Sequence, residues 1–211
     1  MLMHLEILDK KRLAYFEKLA LFKKVGFLAG GTALALQAGH RISFDFDVFI
    51  SKKISRNFPL TLRNIFPIKD ILLNNQDEFT FMTKDSVKIS FILYPFDLGK
   101  HIVHLKHSIP LLSVKGIGIT KAYTLNRWES WRDYLDMYYV LKSKKSSLSI
   151  IILAAKRIYK EMFSEKLFLS QLLYTDNIPA SEMKNTRLLK ESLAPGEIKK
   201  FFEKEIEKYM G

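Results

Sequence analysis

Hydrophobic side chains recur with helical spacing at the start of the chain. In residues 5–24, leucines and a phenylalanine occupy about every third or fourth position with lysines between them, which predicts an amphipathic helix. Residues 25–29 form a short apolar run that ends at two glycines, as expected for a buried strand that enters a tight turn. Thr32 is placed to cap a following apolar helix that ends at Gly39. The pattern predicts a strand, a glycine turn and a helix.

The next segment, residues 42–50, alternates apolar and polar side chains with a period of two and is predicted to be a strand. The polar side chains on one face of this strand are Ser43, Asp45 and Asp47. The two carboxylates therefore share a face. Further apolar runs predict a short helix at residues 60–66 and strands at residues 71–73, 78–83, 87–94 and 110–113.

Helical periodicity dominates the second half of the chain. It predicts helices at residues 115–126, 129–142, 148–163, 166–174 and 197–210. The polar segment 142–147 is the best internal boundary. We therefore predict an α+β fold, with a mixed β-sheet flanked by helices in residues 1–114 and a helical bundle in residues 115–211.

The composition, with 48% hydrophobic and 27% charged residues among 211, is that of a folded protein. The absence of cysteine excludes disulfides, thiolate catalysis and cysteine-ligated metals. We see no secretory leader and no apolar run long enough to cross a bilayer, and we expect a soluble, cytoplasmic protein with no membrane partner. The net charge of +12 favours a polyanionic partner such as RNA, although a generally basic surface explains it equally well.

Asp45 and Asp47 are suited to hold Mg²⁺ or Mn²⁺, because such cations are bound by one or two carboxylates together with substrate phosphates and waters. The glycine pair Gly30 and Gly31 lets backbone N–H groups approach a phosphate at the start of a helix. Each signal alone has a structural explanation, namely a surface turn and the solvated face of an edge strand. Their order within one strand–turn–helix–strand unit favours a site for a metal-bound nucleoside triphosphate (NTP).

At these residues the sequence resembles a known family. GGTALAL at residues 30–36, followed by RISFDFD at residues 41–47, resembles the signature of the AbiEii/AbiGii-type nucleotidyltransferases of the polymerase-β-like superfamily. ITKA at residues 119–122 and RDYLDMY at residues 132–138 resemble the lysine and aspartate segments of the same family. The resemblance covers residues 5–142. Members are widely known as toxins of bacterial toxin–antitoxin pairs, including abortive-infection systems, so the resemblance implies a possible cognate antitoxin.

The resemblance implies a role for individual residues. The catalytic set that it implies is Asp45, Asp47, Lys121 and Asp133, with Asp45 and Asp47 as the metal ligands. The nucleotide-binding set is Gly30, Gly31, Thr32, Arg41, Ser43 and Lys121. Asp136 is a further partner in the site. Two roles remain open for Arg41, which either contacts phosphate or pairs with a carboxylate to hold the turn.

One position departs from the pattern of the superfamily. Many of its enzymes place a third carboxylate on a neighbouring strand, and the matching position here is Ser90. Serine is a poor magnesium ligand and a poor general base at neutral pH. Asp133 or Asp97 supplies the third group, or the metal alone activates the nucleophile, or the protein is a weakened enzyme.

These observations lead to three hypotheses for the function. The first is a magnesium-dependent nucleotidyltransferase that moves a nucleoside monophosphate from an NTP to an acceptor hydroxyl, with an RNA end such as that of tRNA favoured over a protein side chain. The second is a degenerate nucleotidyltransferase fold that binds nucleotide or RNA as a regulatory module. The third is a nucleic-acid-binding protein that uses its helical half.

Overall fold

The structure is a computed structural model that describes residues 3–125, 127, 130–175 and 178–211. Within these residues a seven-stranded sheet has the order β3-β4-β5-β2-β1-β7-β6. Its strands are β1 Gly26–Ala29, β2 Phe46–Ile50, β3 Ile68–Asn74, β4 Glu78–Thr83, β5 Lys88–Leu93, β6 Ile102–Val103 and β7 Leu111–Leu112. The pairs β2–β5 and β1–β7 are parallel and the other neighbours are antiparallel. The predicted mixed sheet is confirmed.

Helices flank the sheet and make up most of the second half of the chain. They are α1 Lys10–Leu19, α2 Gly30–Ala38, α3 Phe58–Ile65, α4 Val114–Leu125, α5 Trp131–Lys142, α6 Leu148–Tyr159, α7 Glu165–Leu173, α8 Ala180–Lys184 and α9 Pro195–Met210. The predicted α+β class is confirmed, whereas the division at residue 114 stays a prediction. In the part of the chain that the structure describes, no helix combines the length and apolarity needed to cross a membrane.

The two faces of the sheet differ in chemistry. One face packs on the N-terminal helices through phenylalanine rings, with Phe91 lying 4.9 Å from Phe22 and 5.1 Å from Phe58 between ring centroids. The opposite face carries Asp47 on β2 and Ser90 on β5, which are register partners. Period-two alternation in β2 separates the two faces, so we call the side that bears Asp47 the polar face.

The structure corrects the predicted helix at residues 5–24. A 3₁₀ turn at Leu5–Ile7 comes first, and α1 begins only at Lys10 because the carboxylate of Asp9 accepts a hydrogen bond from the backbone N–H of Arg12. A second 3₁₀ turn, Ala20–Phe22, ends the segment. Hydrophobic spacing alone did not reveal these interruptions.

The predicted strand at residues 42–50 is also shorter than expected. β2 begins at Phe46, where its parallel pairing with Ile89 of β5 starts, and the antiparallel neighbour β1 reaches only as far as Asp47 in register. The preceding residues are held differently, with the N–H of Ile42 bonded to the carbonyl of Arg187 at 2.9 Å. Asp45 therefore lies just before the strand.

Two further elements differ from prediction. α2 begins at Gly30 with Ala29 as its N-cap residue, so Thr32 lies inside the helix and does not cap it. The short β6 and α8 were not predicted, because two and five residues are too few to show periodicity.

The predicted helix ends at Asn126 and Glu129, and the aromatic Trp128, lie outside the described residues.

Candidate active site

The turn between β1 and α2 forms the first part of the site. Gly30 has φ +65°, in the left-handed region that other residues rarely adopt. A Cβ atom on Gly30 would lie 2.7 Å from Asp47 Oδ2, and one on Gly31 would lie 1.9 Å from Arg41 Nη2. Close packing therefore requires both glycines, and they bring the N-terminus of α2 to the carboxylate of Asp47.

Buried hydroxyl groups hold the segment after α2 against this turn. Thr32 Oγ1 lies 2.7 Å from Ser43 Oγ and donates a hydrogen bond to the backbone carbonyl of Asp45. Arg41 Nη1 donates to Ser43 Oγ at 3.5 Å and to the carbonyl of Ile42 at 3.2 Å. Thr32 and Ser43 thus fix the backbone that carries Asp45, while their contact with a nucleotide stays a prediction.

Asp47 lies on the polar face of the sheet, and Asp45, just before β2, lies close enough for its charge to raise the pKa of Asp47; we call these two residues the carboxylate pair. Asp47 lies between Ala29 on β1 and Ser90 on β5. Burial raises the pKa of Asp47 above its ordinary value, an effect that Lys88 opposes. Lys88 Nζ lies 3.5 Å from Asp45 Oδ2. A lysine that the sequence analysis did not identify therefore faces the carboxylate pair.

Asp136 connects the glycine turn to the helical half. Its side chain is fully buried, and its Oδ1 accepts hydrogen bonds from His40 Nε2 at 2.9 Å and from Arg41 Nε at 2.8 Å. Its Oδ2 lies 3.0 Å from Arg41 Nη2 and 3.1 Å from Lys121 Nζ. Burial alone would raise the pKa of Asp136, but Arg41 and Lys121 hold it well below its ordinary value. We call these four residues the Asp136 cluster.

Lys121 extends from α4 to two carboxylates of α5. Its ammonium group contacts Asp133 Oδ1 as well as Asp136 Oδ2. Burial lowers the pKa of Lys121, but the two carboxylates raise it above its ordinary value, so the side chain stays charged. Lys121 also opposes the upward shift that burial produces in the pKa of Asp47. Lys121 is therefore coupled electrostatically to Asp47.

Arg41 and His40 both act on Asp136. Of the two roles left open for Arg41, the structure shows the ion pair, in which the guanidinium group binds both oxygens of Asp136. Burial lowers the pKa of His40, although Asp136 opposes this shift, so the ring is neutral at pH 7. His40 is not among the site residues expected from the sequence, and its partner lies 96 residues further along the chain.

Ser90 occupies the position beside Asp47 where a third carboxylate was sought. It is 3% exposed. Asp97, one of the two proposed substitutes, lies in an exposed loop after β5, where its Oδ1 accepts a hydrogen bond from the N–H of Gly99 at 2.8 Å. The other substitute, Asp133, is paired with Lys121. The strand next to the carboxylate pair therefore offers a hydroxyl group instead of a third acid.

The carboxylate pair fits a metal ion that is shared with a substrate. Among the described residues, no group of three or more His, Cys, Asp or Glu side chains converges to hold a metal. Asp45 and Asp47 supply two carboxylates, and the missing side chain at Gly30 leaves space directly at Asp47 Oδ2. A magnesium ion held by two carboxylates completes its coordination with phosphate oxygens and waters. The donor set therefore suits Mg²⁺ or Mn²⁺ bound together with a nucleotide.

Sequence comparison with known proteins finds a distant relative. No family model matches the chain. An uncharacterized protein of Aquifex aeolicus is 25% identical over 189 residues, which cover 87% of each chain.

Solved structures provide the stronger comparison. A candidate nucleotidyltransferase from H. pylori superposes with a TM-score of 0.62 at 16% identity, covering 96% of this chain and 98% of the other. MenT4, a nucleotidyltransferase toxin from Mycobacterium tuberculosis, superposes with a TM-score of 0.58 at 14% identity, covering 90% and 80%. The described chain thus has the nucleotidyltransferase fold, in agreement with the family that its sequence motifs resemble.

Proposed function

We propose that the protein is a magnesium-dependent nucleotidyltransferase that transfers a nucleoside monophosphate from an NTP to an acceptor hydroxyl. One observation carries this proposal: two charged groups meet at the glycine turn. The carboxylate of Asp47 lies at Gly30, and Asp136, which binds Lys121, lies at Gly31. A surface turn and an edge strand, which explain each motif alone, do not account for a buried lysine and arginine gathered at the same place.

Each part of the site has a role in this reaction. Asp45 and Asp47 would hold the magnesium ion, which when bound supplies positive charge at the phosphate oxygens. The N–H groups at the start of α2 are placed to bind phosphate, because a helix N-terminus carries partial positive charge. The charged ammonium group of Lys121 stabilises negative charge that builds up on the leaving group.

In the reaction, the acceptor oxygen attacks the α-phosphorus and forms a new P–O bond. The bond between the α-phosphorus and its bridging oxygen to the β-phosphate breaks, and pyrophosphate departs with that electron pair. The acceptor hydroxyl gives up its proton to a carboxylate of the pair or to water. No covalent enzyme intermediate is required, so the protein acts by positioning and electrostatics.

RNA is the favoured acceptor, with tRNA as the first candidate and a protein side chain as the second. Basic side chains are exposed on both halves of the chain: Lys52, Lys53, Arg56, Lys142, Lys144, Lys145, Lys156, Arg157 and Lys160. Such a surface attracts RNA through the release of counterions from its phosphates. The net charge of +12 acts in the same direction.

A labelling experiment tests the proposed reaction. The full chain is incubated with each α-labelled NTP, Mg²⁺ and total RNA or cell lysate. We expect label on one class of acceptor, no transfer after chelation of the metal, and no transfer by Asp45→Ala or Asp47→Ala. Asp70→Ala, which removes an exposed carboxylate on the edge strand β3, is the matched control and should retain activity. Transfer that survives both active-site changes would overturn the assignment.

We further propose that the protein acts as a toxin, for which the resemblance in sequence and the fold shared with the toxin MenT4 provide support. Expression in a bacterial host should then stop growth, and Asp45→Ala should relieve the arrest at equal protein level. A cognate antitoxin encoded nearby should also relieve it. Equal toxicity of the wild type and Asp45→Ala would contradict this role.

Ser90 favours a second candidate function, a nucleotide- or RNA-binding module without turnover. This candidate requires that the hydroxyl beside Asp47 fails to replace a catalytic acid. It predicts NTP or RNA binding with no label transferred under any condition of the experiment above. Robust magnesium-dependent transfer would exclude it.

A further inference from the structure

A groove of about 470 Å³ lies at the end of β1 and β2 that is remote from the glycine turn. Four aromatic side chains and two lysines among its lining define what we call the aromatic groove: Phe27, Phe49, Tyr94, Phe96, Lys23 and Lys24. Neither the sequence motifs nor the proposed reaction assigns it a role. Its four aromatic side chains distinguish it from the groups around Asp47, and the exposed carboxylate of Asp97 also lines it.

The aromatic groove continues the polar face that carries the carboxylate pair. Phe49 follows Asp47 by two residues on β2, so its side chain points to the same face, about 7 Å further along the strand. Phe27 is the register partner of Phe49 on β1. An extended ligand that is bound at the carboxylate pair and follows β2 therefore reaches the aromatic groove next.

The rings of the aromatic groove form a connected row. Phe49 stacks on Tyr94 with a centroid separation of 4.3 Å and an interplanar angle of 9°. Phe27 meets Phe49 edge to face at 6.0 Å, and Phe96 meets Tyr94 in the same way at 5.6 Å. Each of the four side chains is half-buried, whereas Phe46 on the opposite face is completely buried. Tyr94 and Phe96 also pack against Tyr159, with 2.8 Å between the hydroxyl groups of the two tyrosines and 4.7 Å between the ring centroids of Phe96 and Tyr159. All four residues nevertheless keep part of their surface exposed to solvent.

Two exposed lysines, Lys23 and Lys24, also line the aromatic groove. They are distinct from Lys88 and Lys121, which lie at the carboxylate pair and suit the phosphates of the NTP. Aromatic rings beside lysines bind single-stranded nucleic acid, because bases stack on the rings and the phosphates are attracted to the cations. The bases of a duplex are stacked on one another and do not reach such rings.

We propose that the aromatic groove binds unpaired nucleotides of the acceptor RNA, whose terminal hydroxyl then lies at Asp45 and Asp47. The inference rests on the proposed function for the identity of the acceptor. The base of the NTP is the alternative ligand that could stack on the rings of the aromatic groove. The separate lysines favour RNA, because they supply charge for phosphates other than those of the NTP.

Fluorescence anisotropy with a labelled, unstructured RNA strand of about 12 nucleotides tests the inference without NTP or metal. Phe27→Leu/Phe49→Leu removes two rings but keeps apolar side chains. We expect it to weaken RNA binding about 5- to 100-fold. Phe44→Leu is the matched control, because Phe44 is 36% exposed, lies outside the groove beneath Arg12 and should leave binding unchanged.

Charge is tested separately. Lys23→Ala/Lys24→Ala should reduce the slope of log affinity against log salt by about 1.4, as expected for the loss of two contacts to single-stranded phosphates. Lys200→Ala/Lys204→Ala, which removes two exposed lysines from α9, should leave the slope unchanged. A blunt RNA duplex should bind more weakly than the single strand.

Failure of this inference is distinguishable from failure of the proposed function. Three results would overturn the groove assignment, even where label transfer is observed. The two phenylalanine changes leave RNA affinity intact, or they weaken only NTP binding, or the blunt duplex binds as tightly as the single strand. If the changes weaken RNA binding in a protein that transfers no label, the groove assignment holds and the proposed reaction fails.

Discussion

Asp136 is the residue on which the geometry of the site depends. It is fully buried and forms ion pairs with both Arg41 and Lys121, while it also accepts a hydrogen bond from His40. Removal of its charge leaves two buried cations without a shared counter-ion, which typically costs about 3–5 kcal/mol. We expect Asp136→Asn to lower the free energy of unfolding by about this amount, measured by urea denaturation.

Asp133→Asn is the matched control, because Asp133 lies one turn away on the same helix and pairs with Lys121. Its removal leaves Lys121 paired with Asp136, so the loss of stability should be smaller. Equal losses of unfolding free energy for Asp136→Asn and Asp133→Asn would contradict a larger contribution of Asp136 to stability.

The same carboxylate makes stability depend on pH. Burial opposes ionisation of Asp136, but Arg41 and Lys121 hold its pKa well below the ordinary value in the folded state. The stabilisation is therefore complete above about pH 4, the value for an unfolded aspartate, and is lost as the pH falls further towards the folded-state pKa. Urea unfolding between pH 7 and pH 3 should show the gap between wild type and Asp136→Asn closing at the acidic end. A gap that is constant with pH would contradict this.

At the scale of elements, the junction of β1 and α2 depends on two glycines that are needed for different reasons. Gly31 has no room for a side chain, since a Cβ atom would lie 1.9 Å from Arg41 Nη2. Gly31→Ala must displace the guanidinium group, and overpacking of this kind costs about 1–3 kcal/mol. We expect a lower midpoint of thermal unfolding and weaker nucleotide binding.

Gly196→Ala provides the control for that substitution. Gly196 lies near the start of α9, and a Cβ atom there would meet no other atom within 4 Å. The change should be neutral or stabilise the protein by up to about 1 kcal/mol, because alanine favours a helix more than glycine does. A loss at position 196 as large as that at position 31 would indicate a general effect of helix substitution.

Local sequence signals predicted most of the elements but not where they begin. Periodicity identified the strand with Asp45 and Asp47, yet β2 starts only at Phe46, where its pairing with Ile89 of β5 begins. Thr32 has the residue type of a cap, but its hydroxyl bonds to the backbone that carries Asp45. Contacts between distant segments determine both the start of β2 and the role of Thr32. Hydrophobic periodicity and residue propensity carry no information about such contacts.

The candidate site shows the same limit at longer range. The glycine turn, the carboxylates and Lys121 have motifs that are recognisable in sequence. His40 and Lys88 have none, because the partner of His40 lies 96 residues away and the partner of Lys88, Asp45, lies just before a different strand. Their positions become meaningful only after the fold has brought those segments together.

At the scale of the molecule, the site joins the sheet to the helical half. Asp45 lies just before the sheet and Asp47 lies in it, whereas Lys121 comes from α4. A nucleotide bound between them should stabilise both parts against unfolding by about 2.7 kcal/mol at a ligand concentration 100 times its dissociation constant. We expect Mg²⁺ with an NTP analogue that has a non-cleavable α–β bridge to raise the midpoint of thermal unfolding.

The effect of Mg²⁺ on this rise in the thermal midpoint tests the carboxylate pair separately from Lys121 and Arg41. Asp45→Asn should abolish the additional stabilisation by Mg²⁺ over the analogue alone, whereas Asp70→Asn on the edge strand should preserve it. The readout does not require turnover, so it tests the binding site even in an inactive enzyme. An undiminished magnesium effect in Asp45→Asn would place the metal elsewhere.

The ion pair between Arg41 and Asp136 also sets the order of events during synthesis, because 95 residues separate its partners. A nascent chain that ends before α5 contains Arg41 without its counter-ion, and a guanidinium group is not buried unpaired. The glycine turn therefore reaches its final shape only after the ribosome has made well over half of the chain. A chain that ends before Asp136 therefore lacks the counter-ion of Arg41, and we expect such a truncated chain to bind no nucleotide.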